Sequence, residues 1–177
     1  MTLLDFIRAE LQRLHRLLDA AVADLDPEQW HSVPGGNPRA NTLAFELWHY
    51  VRTEDNVVRF LLQSRRPTVW GEGGWAERLG LPPIAQGTGM PAEEAQRLRI
   101  PDTAAFRRYM QDVWRSSEAY LETLDDARLA ETVLVRPLGE MPVGRALGQV
   151  CVSHGFSHYG EIELARTLLG LPSVGGI

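Results

Sequence analysis

Seven apolar residues near the start of the chain, Leu3, Ile7, Leu11, Leu14, Leu18, Ala21 and Leu25, recur at steps of four and three. A helix turns about 100° per residue, so this spacing gathers them on one face. Arg8, Glu10, Gln12, Arg13 and Arg16 fall mostly outside it. Such a stripe is stable only when another element covers it.

The rest of the chain supplies the cover. Thr2 or Asp5 can cap the first helix, and Asp26-Pro27 closes it. After the loop "HSVPGGNPRAN", Asn41 or Thr42 can cap a second helix reaching about Gln63. From Arg65 to Pro101 the periodicity dissolves into a stretch rich in Pro and Gly, expected to be a long loop insertion. Trp70 and Trp75 within it argue against plain disorder, since large aromatics pack on something. Asp102 or Thr103 caps a third helix whose apolar members are Phe106, Tyr109, Met110, Val113, Trp114, Ala119, Tyr120 and Leu124. Thr132 to Val135 is a short β-like run followed by Pro137 and Gly139, an extended segment or small hairpin. A fourth helix runs from near Val143 to Gly170, with Pro172 as a stop. The expectation is an all-α chain. It is read as one domain over residues 1–177, an up-down four-helix bundle with the insertion between its second and third helices.

Composition narrows the function classes. The 177 residues can bury a core without disulfides, and the only cysteine is Cys151. The formal net charge is −5 and the 18 basic residues are scattered, which argues against nucleic acid or an anionic membrane surface as the main partner. The N-terminus lacks the pattern of a signal peptide, and no apolar run reaches the ~18 residues of a membrane span. A cytoplasmic protein is expected.

The segment "CVSHGFSHYGEIELARTLLG", residues 151–170, carries the chemistry. Leu147, Val150, Cys151, His154, His158, Glu161, Ile162, Ala165, Leu168 and Leu169 fall within one helical stripe, with the histidines and Glu161 near its centre. Ionisable groups facing a bundle interior need partners, because stranding one there costs several kcal/mol. A histidine pair at i and i+4 can hold a divalent metal by two imidazole nitrogens, with a carboxylate one turn on as ligand, orienting group or base. The competing reading is a metal-free, hydrogen-bonded network of His154, His158 and Glu161.

A third ligand must come from another element, and the candidates are His15, His31 and His49. His31 lies in a turn region. His15 sits off the main stripe of the first helix and is expected at its solvent edge. His49 points nearly opposite the larger face formed by Leu43, Leu47, Tyr50, Val58 and Leu61. Periodicity alone leaves it equally a surface residue or a ligand. Its neighbours Phe45, Arg52, Thr53, Asn56 and Phe60 suggest a second face that residues 65–100 would cover. Cys151, three before His154, could add a thiolate, but a lone cysteine ordinarily reads as a small core residue. Trp48, Trp114 and Tyr120 read as core aromatics.

With "TLAFELWHYVRTE" in the second helix and "SHGFSHYGEIELARTLLG" in the fourth, the chain resembles the DinB/YfiT-like family of metal-dependent four-helix-bundle proteins over nearly its whole length. The resemblance implies a divalent metal held by His49, His154 and His158. Family members commonly carry Gln where this chain has Glu161, so a negative charge is added beside the site. The resemblance also implies a small-molecule enzyme: a transferase or isomerase that uses a low-molecular-weight thiol such as mycothiol or bacillithiol, or a hydrolase. Glu161 is then the first candidate for a general base. Three imidazoles suit zinc, nickel, iron or copper, with zinc or nickel foremost. A homodimer through helix faces is permitted. The alternative is a non-catalytic stress-response or binding protein whose metal is structural.

Overall fold

In the computed structural model, which describes residues 1–175, the first three long helices start where a side chain takes up orphaned amides. Thr2 caps α1 (Leu3–Ala21) in a reciprocal capping box with Asp5. Asp26 caps a short α2 (Pro27–His31) rather than merely ending α1. Thr42 caps α3 (Leu43–Asp55), which runs on through a wide π turn, Asn56–Leu61. The 65–100 segment is no structureless loop. It contains α4 (Val69–Glu72), α5 (Trp75–Leu79) and α6 (Ala92–Arg97), with Trp70 and Trp75 both buried. Asp102 caps α7 (Thr103–Glu122), and Asp125 caps α8 (Asp126–Ala130).

The β-like run forms a hairpin. Strand β1 (Thr132–Val135) pairs antiparallel with β2 (Gly139–Pro142), Thr132 opposite Pro142 and Val135 opposite Gly139. The final helical stretch begins with α9 (Val143–Ala146), passes through a second π turn, Leu147–Ser153, and continues as α10 (His154–Leu168). The described residues are therefore mostly helical with one small two-stranded sheet. No helix among the described residues is long and apolar enough to cross a membrane.

Helix α3 lies at the centre, packed against α10, α7 and the α2 and α4 turns, while α1 packs against α10 and α7. Twelve of its thirteen residues are buried, including Glu46, Arg52, Thr53, Glu54 and Asp55. A helix covered on every side must satisfy its polar residues internally. The stripe of α1 is buried from Leu4, Ile7, Leu11, Leu14 and Leu18 to Ala21, but Leu3 is 58% exposed. On α7 the sequence pattern also slips at one position: Ala119 is exposed and Ser117 faces inward instead. Trp48, Trp114, Tyr120 and Cys151 are core residues.

Candidate metal centre

The π turn Leu147–Ser153 ends where His154 begins, and it decides which way the histidines face. A π turn inserts an extra residue into the helical repeat, so a 100° extrapolation from Leu147 overshoots beyond it. The buried line of α10 is Gly155, Ile162, Ala165 and Arg166. His154 and His158 sit on its flank, partly buried, and Glu161 is exposed rather than central. The flank faces α3. There His49, also partly buried, meets the pair: ring centroids are 5.4 Å from His49 to His154, 5.0 Å from His49 to His158 and 4.4 Å between His154 and His158. One nitrogen of each ring lies within 4.8 Å of the other two. The second face of α3 is thus no solvent surface; residues of the 65–100 segment cover it, as the aromatics around His49 suggested.

Two of the three imidazoles have their tautomers set from behind. His49 Nδ1 is 2.5 Å from the main-chain carbonyl of Gln86, an oxygen that only accepts. Nδ1 therefore carries the proton and Nε2 keeps its lone pair. His158 Nδ1 is 2.5 Å from the buried Glu46 carboxylate and 3.2 Å from Glu161. Its Nε2 lies 2.9 Å from Nε2 of His154. Burial works to depress the His158 pKa, but hydrogen bonds to Glu161 and Glu46 outweigh it and raise the group to about 9. His154 is pushed the other way, to about 4, by burial and then by the charge of His158. A proton on His158 Nε2 is therefore shared with the His154 lone pair. Burial also lowers His49 and raises Glu46, whereas the His158 hydrogen bond holds Glu161 down at about 2.

These residues fit a divalent ion. Without a cation between them, the two facing Nε2 lone pairs need a proton, and the three nitrogens converge from two helices. The Gln86 carbonyl and the Glu46 carboxylate stand where ligating histidines ordinarily have a partner on the far ring nitrogen. His49, His154 and His158 would hold the ion, with neutral imidazoles suited to zinc, nickel, iron or copper. Glu46 is the residue the sequence reading missed. It lies one turn before His49 on α3, and an acid in a helix's first turn reads as an ordinary partner of the helix dipole.

The other two histidines are elsewhere. His31 lies at the end of α2, its Nδ1 donating to the Pro27 carbonyl at 2.7 Å and its Nε2 accepting from the Ile100 amide at 3.0 Å. His15, expected at the solvent edge, is only 3% exposed. It stacks on Trp114 with centroids 3.9 Å apart, and its Nε2 is 3.1 Å from both oxygens of Glu54. The 3.6-residue repeat placed it at the margin of the α1 stripe, and α7 covers that margin with Trp114. Glu54 also accepts from Tyr50 and Ser117, each at 2.6 Å. Desolvation pushes the Glu54 pKa up, but His15, Ser117 and Tyr50 together hold it below its ordinary value. Cys151 is fully buried, with its thiol pKa raised well above normal by burial, and among the described residues it does not join the group of ligand atoms that His49, His154 and His158 form.

A family model of the DinB superfamily matches residues 10–162, and the chain belongs to that superfamily, which commonly binds metal. The fold is similar to the crystal structure of a conserved protein from Enterococcus faecalis, with a TM-score of 0.81 at 16% identity. That likeness covers 96% of this chain and 99% of the other. No curated protein matches the chain.

Proposed function

We propose that His49, His154 and His158 hold one divalent metal ion, zinc or nickel foremost, and that the chain is a metal-dependent enzyme acting on a small molecule. The observation that carries this is the convergence of three imidazole nitrogens within 4.8 Å, two of them with the far ring nitrogen engaged by Gln86 and Glu46. Three protein ligands leave coordination positions open, the arrangement of a catalytic rather than a purely structural site. A bound divalent ion would supply Lewis acidity toward a carbonyl, a water or a thiol sulfur. Family likeness favours a thiol-dependent S-transferase or isomerase, with a hydrolase next. Glu161, ionised and with its side chain 59% exposed, is the candidate proton acceptor, while Glu46 orients His158 from within. The wider reading takes the four long helical stretches as an up-down four-helix bundle forming one cytoplasmic domain, able to pair as a homodimer.

Metal analysis of the untagged full-length protein tests the centre. Stoichiometric divalent metal in the wild type, lost in His49→Ala and His158→Ala, supports it; metal-free wild type after metal-replete expression refutes it. Turnover of small thiols with electrophiles, sensitive to Glu161→Gln, separates an enzyme from a protein whose metal is structural.

A further inference from the structure

Arg52 lies one turn beyond His49 on α3, is only 4% exposed, and forms no ion pair with any described carboxylate. Its guanidinium stacks on Trp70, 4.6 Å from the ring. One terminal nitrogen instead gathers consecutive main-chain carbonyls: Ile84 at 3.1 Å, Pro83 at 3.4 Å and Ala85 at 3.5 Å. The indole of Trp70 donates to the carbonyl before them, Pro82, at 3.2 Å. The carbonyl after them is Gln86, the one that takes the Nδ1 proton of His49. The strap 82–87 is then pinned by Gly87, with φ +89°, against Phe45 and Trp48, where a Cβ would come within 2.9 Å of the indole. A buried guanidinium is an expensive way to hold a loop, since its charge is stripped of water. Among the described residues, a single terminal nitrogen carries the whole contact, closest to Ile84, while Nε has no partner, so the guanidinium is committed to this run of carbonyls alone.

We propose that Arg52 is a positioning residue for His49: by setting the register of residues 83–85 it presents the Gln86 carbonyl to Nδ1, and so keeps Nε2 of His49 as the coordinating nitrogen. The inference rests on the metal reading, and two readouts keep the two apart. In metal-free full-length protein, ring ¹⁵N shifts report the tautomer of His49. The wild type and Arg52→Lys show Nδ1–H, while Arg52→Ala shows a mixture with Nε2–H. In Co²⁺ titrations with a competing chelator, Arg52→Ala weakens binding about tenfold, the size of effect known for groups behind a ligand, and Arg52→Lys restores part of it. Arg59→Ala is the control, because Arg59 ties the start of the same segment through the Pro67 carbonyl and Glu72, away from Gln86. It lowers the melting temperature but leaves the Co²⁺ affinity within about twofold. An Nδ1–H tautomer that survives Arg52→Ala overturns the proposal, as does an equal loss of Co²⁺ affinity in Arg59→Ala. Wild type that binds no Co²⁺ refutes the metal reading, and the ring shifts still decide the role of Arg52.

Discussion

Among the described residues, two histidine–glutamate clusters are built to opposite ends. Around Glu54, every oxygen is used: His15 from α1, Tyr50 from α3 and Ser117 from α7 all point at one carboxylate that no water reaches. Tyr50 also lies 3.0 Å from the Cys151 carbonyl, which brings the last helical stretch to the same knot. Around His158, Glu46 and Glu161 take the Nδ1 proton from behind, while in front Nε2 faces Nε2 of His154 across one shared proton, in a partly exposed place. The same residue types therefore serve cohesion where the protein closes the set, and suit a cation where ring nitrogens converge with a single proton between them.

The largest expected effect is on the closed cluster. Glu54→Ala strands His15 in the core and should destabilise the metal-free protein by about 3–5 kcal/mol. Urea denaturation measures it, and a loss under ~1 kcal/mol would mean the two clusters do not differ as described. Gly155 touches both regions. A Cβ there would run into Leu14 Cδ2 and sit 2.6 Å from the Tyr50 ring, beside His154. Overpacking of this kind costs roughly 1–3 kcal/mol, so Gly155→Ala should lower the melting temperature and loosen metal binding together. If only stability falls, α10 moves as a unit and the histidine geometry is more tolerant than the crowding implies.

Glu46→Gln sharpens the comparison from the open side. It removes the charge behind His158 while keeping an oxygen to accept the Nδ1 proton. Metal affinity should fall about tenfold by chelator competition, with little change in the melting temperature of the metal-free protein. A reversed pattern, stability lost and affinity kept, would make Glu46 a second cohesive carboxylate. The most gradual effect is of pH on Glu54. Its folded-state pKa is below the ordinary 4.5, so its contribution to stability is full above that value. The contribution is lost as pH falls through the lower folded value. Denaturant midpoints followed from neutral into acid should therefore drop more steeply in the wild type than in Glu54→Gln; parallel curves would remove Glu54 from the acid response.

Much of the frame was legible in the sequence because it is local. The caps, each narrowed to two adjacent or nearby candidates of which Thr2, Thr42 and Asp102 cap, the β-like run Thr132–Val135 and the end of the last helix near Gly170 depend on residues within a few positions. What escaped was whatever rotates or covers a helix. Periodicity sets a face, but the π turns at Asn56–Leu61 and Leu147–Ser153 shift it. Spacing points Leu3 and Ala119 inward, yet they lie outside; it points His15 outward, yet the ring is buried and stacked on Trp114.

The sequence by itself determined that four long helical stretches would form and that His154 and His158 share a helix face one turn apart, because helical period, caps and residue type are written within single segments; it left His49 open between surface and ligand. Only the tertiary structure decided that the three rings meet, that Glu46 stands behind one of them and that a main-chain carbonyl stands behind another. His158 is 112 residues from Glu46, and His49 is 37 from Gln86. A backbone carbonyl leaves no trace in residue identity, so its choice of partner exists only once the strap has folded onto α3.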